Sequence, residues 1–110
     1  MTRVRIVFST IDDAQKARHL AGRLVEEGLA ACVNIIPKVL SVYKWKGQVQ
    51  QDEEWLMVIK TADTRLHRLL ERLRELHPYD VPEGVAFPVE SGLPDYLEWV
   101  MEETRGPDQT

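Results

Sequence analysis

At 110 residues, 44% hydrophobic and 29% charged, the chain has the length and balance of one folded domain, which excludes a disordered tether and a second core. Its 14 Lys and Arg against 18 Asp and Glu leave a net charge of −4, which excludes a surface that tracks nucleic-acid phosphates, and no apolar run approaches a bilayer span. Cys32 is the only cysteine, so no intrachain disulfide forms, and a reducing, cytoplasmic setting is expected.

The chain enters a strand at once. Val4 to Ser9 alternates, with Val4, Ile6 and Phe8 on one face and Arg3, Arg5 and Val7 on the other, and with no apolar h-region or small-residue cleavage site in residues 1–8 no secretory leader is expected. Asp12 followed by Gln15 reads as a helix cap; Ala14, Ala17, Ala21, Leu24 and Val25 form a close-packing stripe that Gly28 stops. Cys32 to Ile36 reads as a buried strand, with Cys32 a small core residue. Pro37 then imposes a bend or bulge on an edge, and Val39 to Trp45 resumes the alternation. Lys46-Gly47 supplies a turn, and Glu54 to Thr61 returns as the partner strand of a long hairpin.

Asp63 or Thr64 is expected to cap the next helix, whose stripe of Leu66, Leu69, Leu70, Leu73 and Leu76 repeats about every 3.6 residues. Pro78 ends it and leaves His77 in the last turn. Arg65, Arg68, Arg72 and Arg74, interleaved with Glu71 and Glu75, read as its solvated face. Val85 to Val89 makes a final strand, and Leu93 to Met101 a closing helix carrying Tyr96, Leu97, Trp99 and Val100. Residues 1–104 form a single domain and residues 105–110 a flexible tail.

Strand, helix, strand, strand, helix, strand is the α+β order of ferredoxin-like folds: an antiparallel four-stranded sheet with both crossover helices on one face, here followed by a third helix. The other face also reads as apolar, with Val7, Val42, Leu56, Met57 and Ile59 among its candidates depending on register. A hairpin longer than its sheet, exposing Tyr43, Trp45 and Trp55, would aggregate unless another copy covered it. An obligate homo-oligomer is expected, with Trp45 and Trp55 in its interface.

No residue pattern amounts to a catalytic machine. Ser9-Thr10 has no neighbouring base, no Gly-rich phosphate loop follows the first strand, and HExxH and CxxC are absent, so an enzyme is not expected. His77 is the one imidazole with a fixed address; it serves either as a metal ligand or as a partly buried residue favoured by the helix dipole, and the structural role is preferred. His19 and His67 read as surface residues. Lys60, ending an apolar strand, calls for a carboxylate from Glu54, Glu83 or Glu90, or for an anionic ligand.

Four segments, Leu24 to Asn34, Ser41 to Gly47, Glu53 to Thr61, and His77-Pro78-Tyr79 with Pro82-Glu83, together resemble the CutA family of divalent-cation tolerance proteins. The resemblance runs from about Val4 to Met101. It implies a ferredoxin-like subunit in a homotrimer similar to the PII signalling proteins, acting in tolerance to copper and other divalent metals. Members with a proposed copper site carry a cysteine and a second histidine where this chain has Ser9 and Leu76. His77 is then the remaining strong match, with Asp80, Glu83 and Glu90 as oxygen donors and copper or another divalent cation as the candidate ion. The alternative is a PII-like sensor or interaction module holding a small anionic metabolite near Lys60, Tyr79 and Tyr43.

Overall fold

The computed structural model describes residues 1–106 and arranges them as β1 (Val4–Ile11), α1 (Ala14–Glu26), β2 (Cys32–Trp45), β3 (Gln48–Ala62), a 3-10 turn (Asp63–Arg65), α2 (Leu66–Leu76), β4 (Val85–Pro88) and α3 (Pro94–Glu103). The strands form one antiparallel sheet in the order β2-β3-β1-β4, the ferredoxin-like arrangement expected from the element order. Of the expected tail, residues 107–110 lie outside the described residues. Arg105 still bonds to Glu102 through both its backbone N–H and its guanidinium.

Register decides which apolar residues meet the helices. Val7 stands opposite Ile59 and Ser9 opposite Met57, and Val33 and Ile35 continue those rows onto β2. This face carries α1 and α2, whose Leu20, Leu24, Leu69 and Leu73 close over the fully buried Val7, Ile11, Met57 and Ile59. Val7, Met57 and Ile59 therefore belong to the main core and not to the open face, because the pleat puts them on the row of Ser9 and Ile11. The opposite row is covered at one end only, where Val100 of α3 packs on Val4 and Ala31.

The helix starts differ from expectation by one physical rule each. Asp13, not Asp12, caps α1: its backbone is extended and its carboxylate accepts from the Lys16 N–H at 2.9 Å. Neither Asp63 nor Thr64 caps α2 with its side chain, since the 3-10 turn intervenes; the Asp63 N–H donates instead to Arg3 O at 2.7 Å, tying β1 to the end of β3. At the end of α1, Gly28 takes φ +70°, which frees the Leu29 and Ala30 N–H groups to reach Leu24 O.

Arg72 is not part of a solvated face. Its Nε and Nη2 donate to the two carboxylate oxygens of Glu27 at 2.8 and 2.9 Å, clamping α2 to the end of α1, and Arg23 adds two more bonds at 3.0 and 3.3 Å. The Arg72 bonds above all hold the Glu27 carboxyl down to about 2. Pro37 does not end β2, which runs through it as one 14-residue edge strand with an irregularity in register between Ile36 and Val39.

Candidate functional site

Past Ile11 the β2–β3 hairpin outruns β1, and the exposed flank of β3 is met there by the segment linking α2 to β4. Pro78 cannot continue α2, so His77 turns extended at φ −78°, ψ 134°, one position beyond the last helical turn and not within it. Its backbone N–H still reaches Leu73 O at 2.9 Å. The side chain folds inward to 7% exposure. Nδ1 accepts the Tyr79 N–H at 3.2 Å, which leaves the proton on Nε2, and Nε2 donates to Thr10 O at 2.8 Å. His77 thus fastens the linking segment to β1 with both ring nitrogens.

Tyr79, edge-on to the His77 ring at 4.6 Å, points its hydroxyl at the hairpin and donates to Glu54 Oε2 at 2.6 Å. Burial first, and the Glu54 carboxylate second, push the Tyr79 phenol far up, so it remains a donor throughout the ordinary pH range. Glu54 itself is 7% exposed. On the hairpin, Tyr43 donates to Asp52, and that bond raises its phenol as well. Thr10 reaches Glu83 at 3.4 Å.

Between hairpin and segment lies a cleft of about 610 Å³. Its aromatic walls are Tyr43, Trp45 and Tyr79, and its acidic groups are Glu54, Asp80 and Glu83. No Lys, Arg or His lines it. Six of the expected residues thus fall close together: Tyr43, Trp45, Tyr79, Asp80 and Glu83 line the cleft, and His77 supports it from beneath.

The other expected residues lie elsewhere. Lys60 bonds Asn34 and stands 5.9 Å from the Tyr96 ring, meeting none of Glu54, Glu83 or Glu90. It is six residues along β3 from Glu54, roughly 20 Å at strand spacing, so within one chain Lys60 stands apart from Tyr79 and Tyr43. Glu90 does not line the cleft. Trp55 is half-buried against the main core, opposite Ile11, and is not an exposed hairpin residue like Trp45. Cys32 is partly exposed, its Sγ 3.9 Å from Asn34 Oδ1, because it shares the sheet face of Lys60 and not that of the main core.

The acidic wall at Glu54 and the small hydroxyls of Thr10 and Ser41 were not read as cleft residues. The run Asp52-Glu53-Glu54 signalled an acidic patch, but only the end of β1 and the path of residues 78–83 turn Glu54 toward a cavity.

One chain does not fit copper. Ser9, in the place of the family's cysteine, has its Oγ fully buried without a hydrogen-bond partner, and both His77 nitrogens are engaged. Among the described residues no three of His, Cys, Asp or Glu stand together closely enough to hold a metal ion. The cleft's donors are carboxylate and hydroxyl oxygens, suited to harder or diffuse cations. No helix of the described residues is long and apolar enough to cross a membrane.

Comparison with known proteins places the chain among close relatives. The family model for the CutA1 divalent ion tolerance protein matches residues 5–103. The divalent-cation tolerance protein CutA of Thermus thermophilus is 46% identical over 99 residues, covering 90% of this chain and 96% of that protein. A chloroplastic CutA protein of Oryza sativa is 45% identical over 100 residues, 91% of this chain but 56% of the rice protein. Among solved structures, CutA from Xylella fastidiosa superposes with a TM-score of 0.91 at 39% identity, covering 94% of this chain and 99% of the other. The family model and the Thermus relative are named for tolerance to divalent cations and not for an enzymatic activity.

Proposed function

The chain belongs to the CutA1 family of divalent ion tolerance proteins, and from that premise we propose that it is a cytoplasmic, non-catalytic homotrimer that binds cations modestly at clefts between its subunits. The observation that supports cation binding is the cleft between hairpin and linking segment of one chain, which combines three carboxylates with no cationic side chain and which, in this reading, a neighbouring copy borders. Asp80 and Glu83 are the oxygen donors we assign to a divalent ion there. His77 joins them only by giving up a bond to Thr10 or Tyr79, and for copper a neighbouring copy must complete the ligand set.

Assembly follows from what the hairpin leaves open. Leu40, Val42 and Val49, on the sheet face opposite Tyr43 and Trp45, are 65%, 59% and 68% exposed. Apolar residues exposed along one face of a protruding edge hairpin call for a partner surface, and a second copy supplies one. The alternative of a sensor for an anionic metabolite draws no support from this cleft, which offers an anion no positive charge.

The test joins light scattering to calorimetry. The expected mass is that of three chains, falling in a variant carrying Leu40→Lys and Val42→Lys; a monomeric wild type refutes the trimer. Zn(II) and Cu(II) titrated into the oligomer should bind weakly and saturably, with affinity reduced by Asp80→Asn and Glu83→Gln together. Binding indifferent to both carboxylates refutes the cleft as the metal site.

A further inference from the structure

We propose that this cleft takes an organic ammonium cation, a protonated amine carried on an apolar body, in preference to a bare divalent ion. The inference rests on the reading of the cleft as a cation site and narrows the class of cation. A divalent ion sheds its water only for several oxygens converging at about 2.0–2.6 Å. Among the described residues, no three of His, Cys, Asp or Glu stand closely enough together to supply them. The cavity, at about 610 Å³, is of the size that holds a small organic molecule.

Its walls match that occupant. Tyr43, Trp45 and Tyr79 offer aromatic faces, which attract a diffuse positive charge and pack against an apolar body, whereas a strongly hydrated metal ion gains little from them. The carboxylates of Glu54, Asp80 and Glu83 accept the N–H bonds that a primary ammonium donates. Glu54 has the fixed position a recognition group needs: it is 7% exposed and anchored through Oε2 by the Tyr79 hydroxyl. With no Lys, Arg or His on the lining, no cationic side chain there competes for these acids.

The probe is benzylammonium, compared with benzyl alcohol as an uncharged molecule of nearly the same shape. Both are titrated into the assembled wild-type oligomer in the presence of a chelator and followed by calorimetry and tryptophan fluorescence. We expect saturable binding of the ammonium only. Trp45→Ala should weaken it about threefold to tenfold, the worth of one cation–π face. The double variant Asp80→Asn with Glu83→Gln should weaken it by a similar factor and make it less sensitive to salt. Should Trp45→Ala disturb assembly, the double variant on the exposed segment decides the matter.

Equal binding of the alcohol, no binding up to about 10 mM, or binding indifferent to the carboxylates overturns the proposal. A neighbouring subunit that fills the cleft would register as no binding. A parallel zinc titration separates the two readings: zinc binding without ammonium binding leaves the metal site standing and removes this inference, and the reverse result removes the metal site.

Discussion

Around Val7, Met57 and Ile59 the sheet is sealed beneath two helices, whereas past Ile11 the same β3 strand runs on into a hairpin whose Leu40, Val42 and Val49 face outward. The first region satisfies itself: its apolar rows meet leucines of α1 and α2, and the charged junction between those helices, Glu27 with Arg72, is closed by paired bonds. The second is unfinished. Its buried polar groups, Glu54 and His77, are held by a segment of irregular backbone, and among the described residues its apolar groups Leu40, Val42 and Val49 stay largely exposed. If the cleft binds as proposed, stability and binding fall in different halves of one strand pair, and each should be open to disturbance without the other.

The largest expected effect is in the sealed half. Leu69→Ala removes a fully buried side chain from the main core and should cost about 2–5 kcal/mol in chemical denaturation while sparing the cleft. Ligand binding lost in a still-folded variant would break the division between the halves. Tyr79→Phe tests the other side. Loss of its bond to the Glu54 carboxylate should cost about 1.5–3 kcal/mol and loosen the segment, seen as faster amide exchange at residues 78–83. A shift spread evenly across both halves would argue against local control.

Ser9→Ala should stabilise by up to about 1 kcal/mol, because the buried hydroxyl has no partner to lose. A clear loss of stability would mean that Ser9 does satisfy a bond in the assembled protein.

The smallest effect is electrostatic and depends on pH. Glu27 is lowered from 4.5 to about 2 in the folded chain, so its contribution is complete above about 4.5 and is lost as the pH falls toward about 2. Arg72→Gln should therefore flatten the fall in melting temperature across that interval relative to wild type. Parallel curves would show that the clamp adds nothing to the core it borders.

The sealed half was the more legible in sequence. The leucine stripe from Leu66 to Leu76, the alanine stripe ended by Gly28, and the alternating strands each obey a local period, and together they specify the ferredoxin-like topology. What periodicity cannot convey is register, and register put Val7, Met57 and Ile59 beneath the helices and left Trp55 half-buried. The cleft was legible in part. His77, Tyr79, Asp80 and Glu83 share one segment, and Tyr43 and Trp45 share one strand. That these meet, and that Lys60 stays away, depends on where β1 stops beneath a longer hairpin, a tertiary fact with no local signature.

The irregularity at Pro37 and Lys38 carries a consequence of handedness. Ile36 pairs with Leu56 and Val39 with Glu54, so three steps on β2 match two on β3, and Lys38 absorbs the extra residue at φ +57°. Without that dislocation, odd and even positions would trade sides in the outer half of the strand. Leu40, Val42 and Lys44 would then take the side of Glu54, and Ser41, Tyr43 and Trp45 would turn away from it. A single left-handed residue thus selects an aromatic wall over an aliphatic one, and the chemistry of the cleft is set by a miscount in the ladder several residues away.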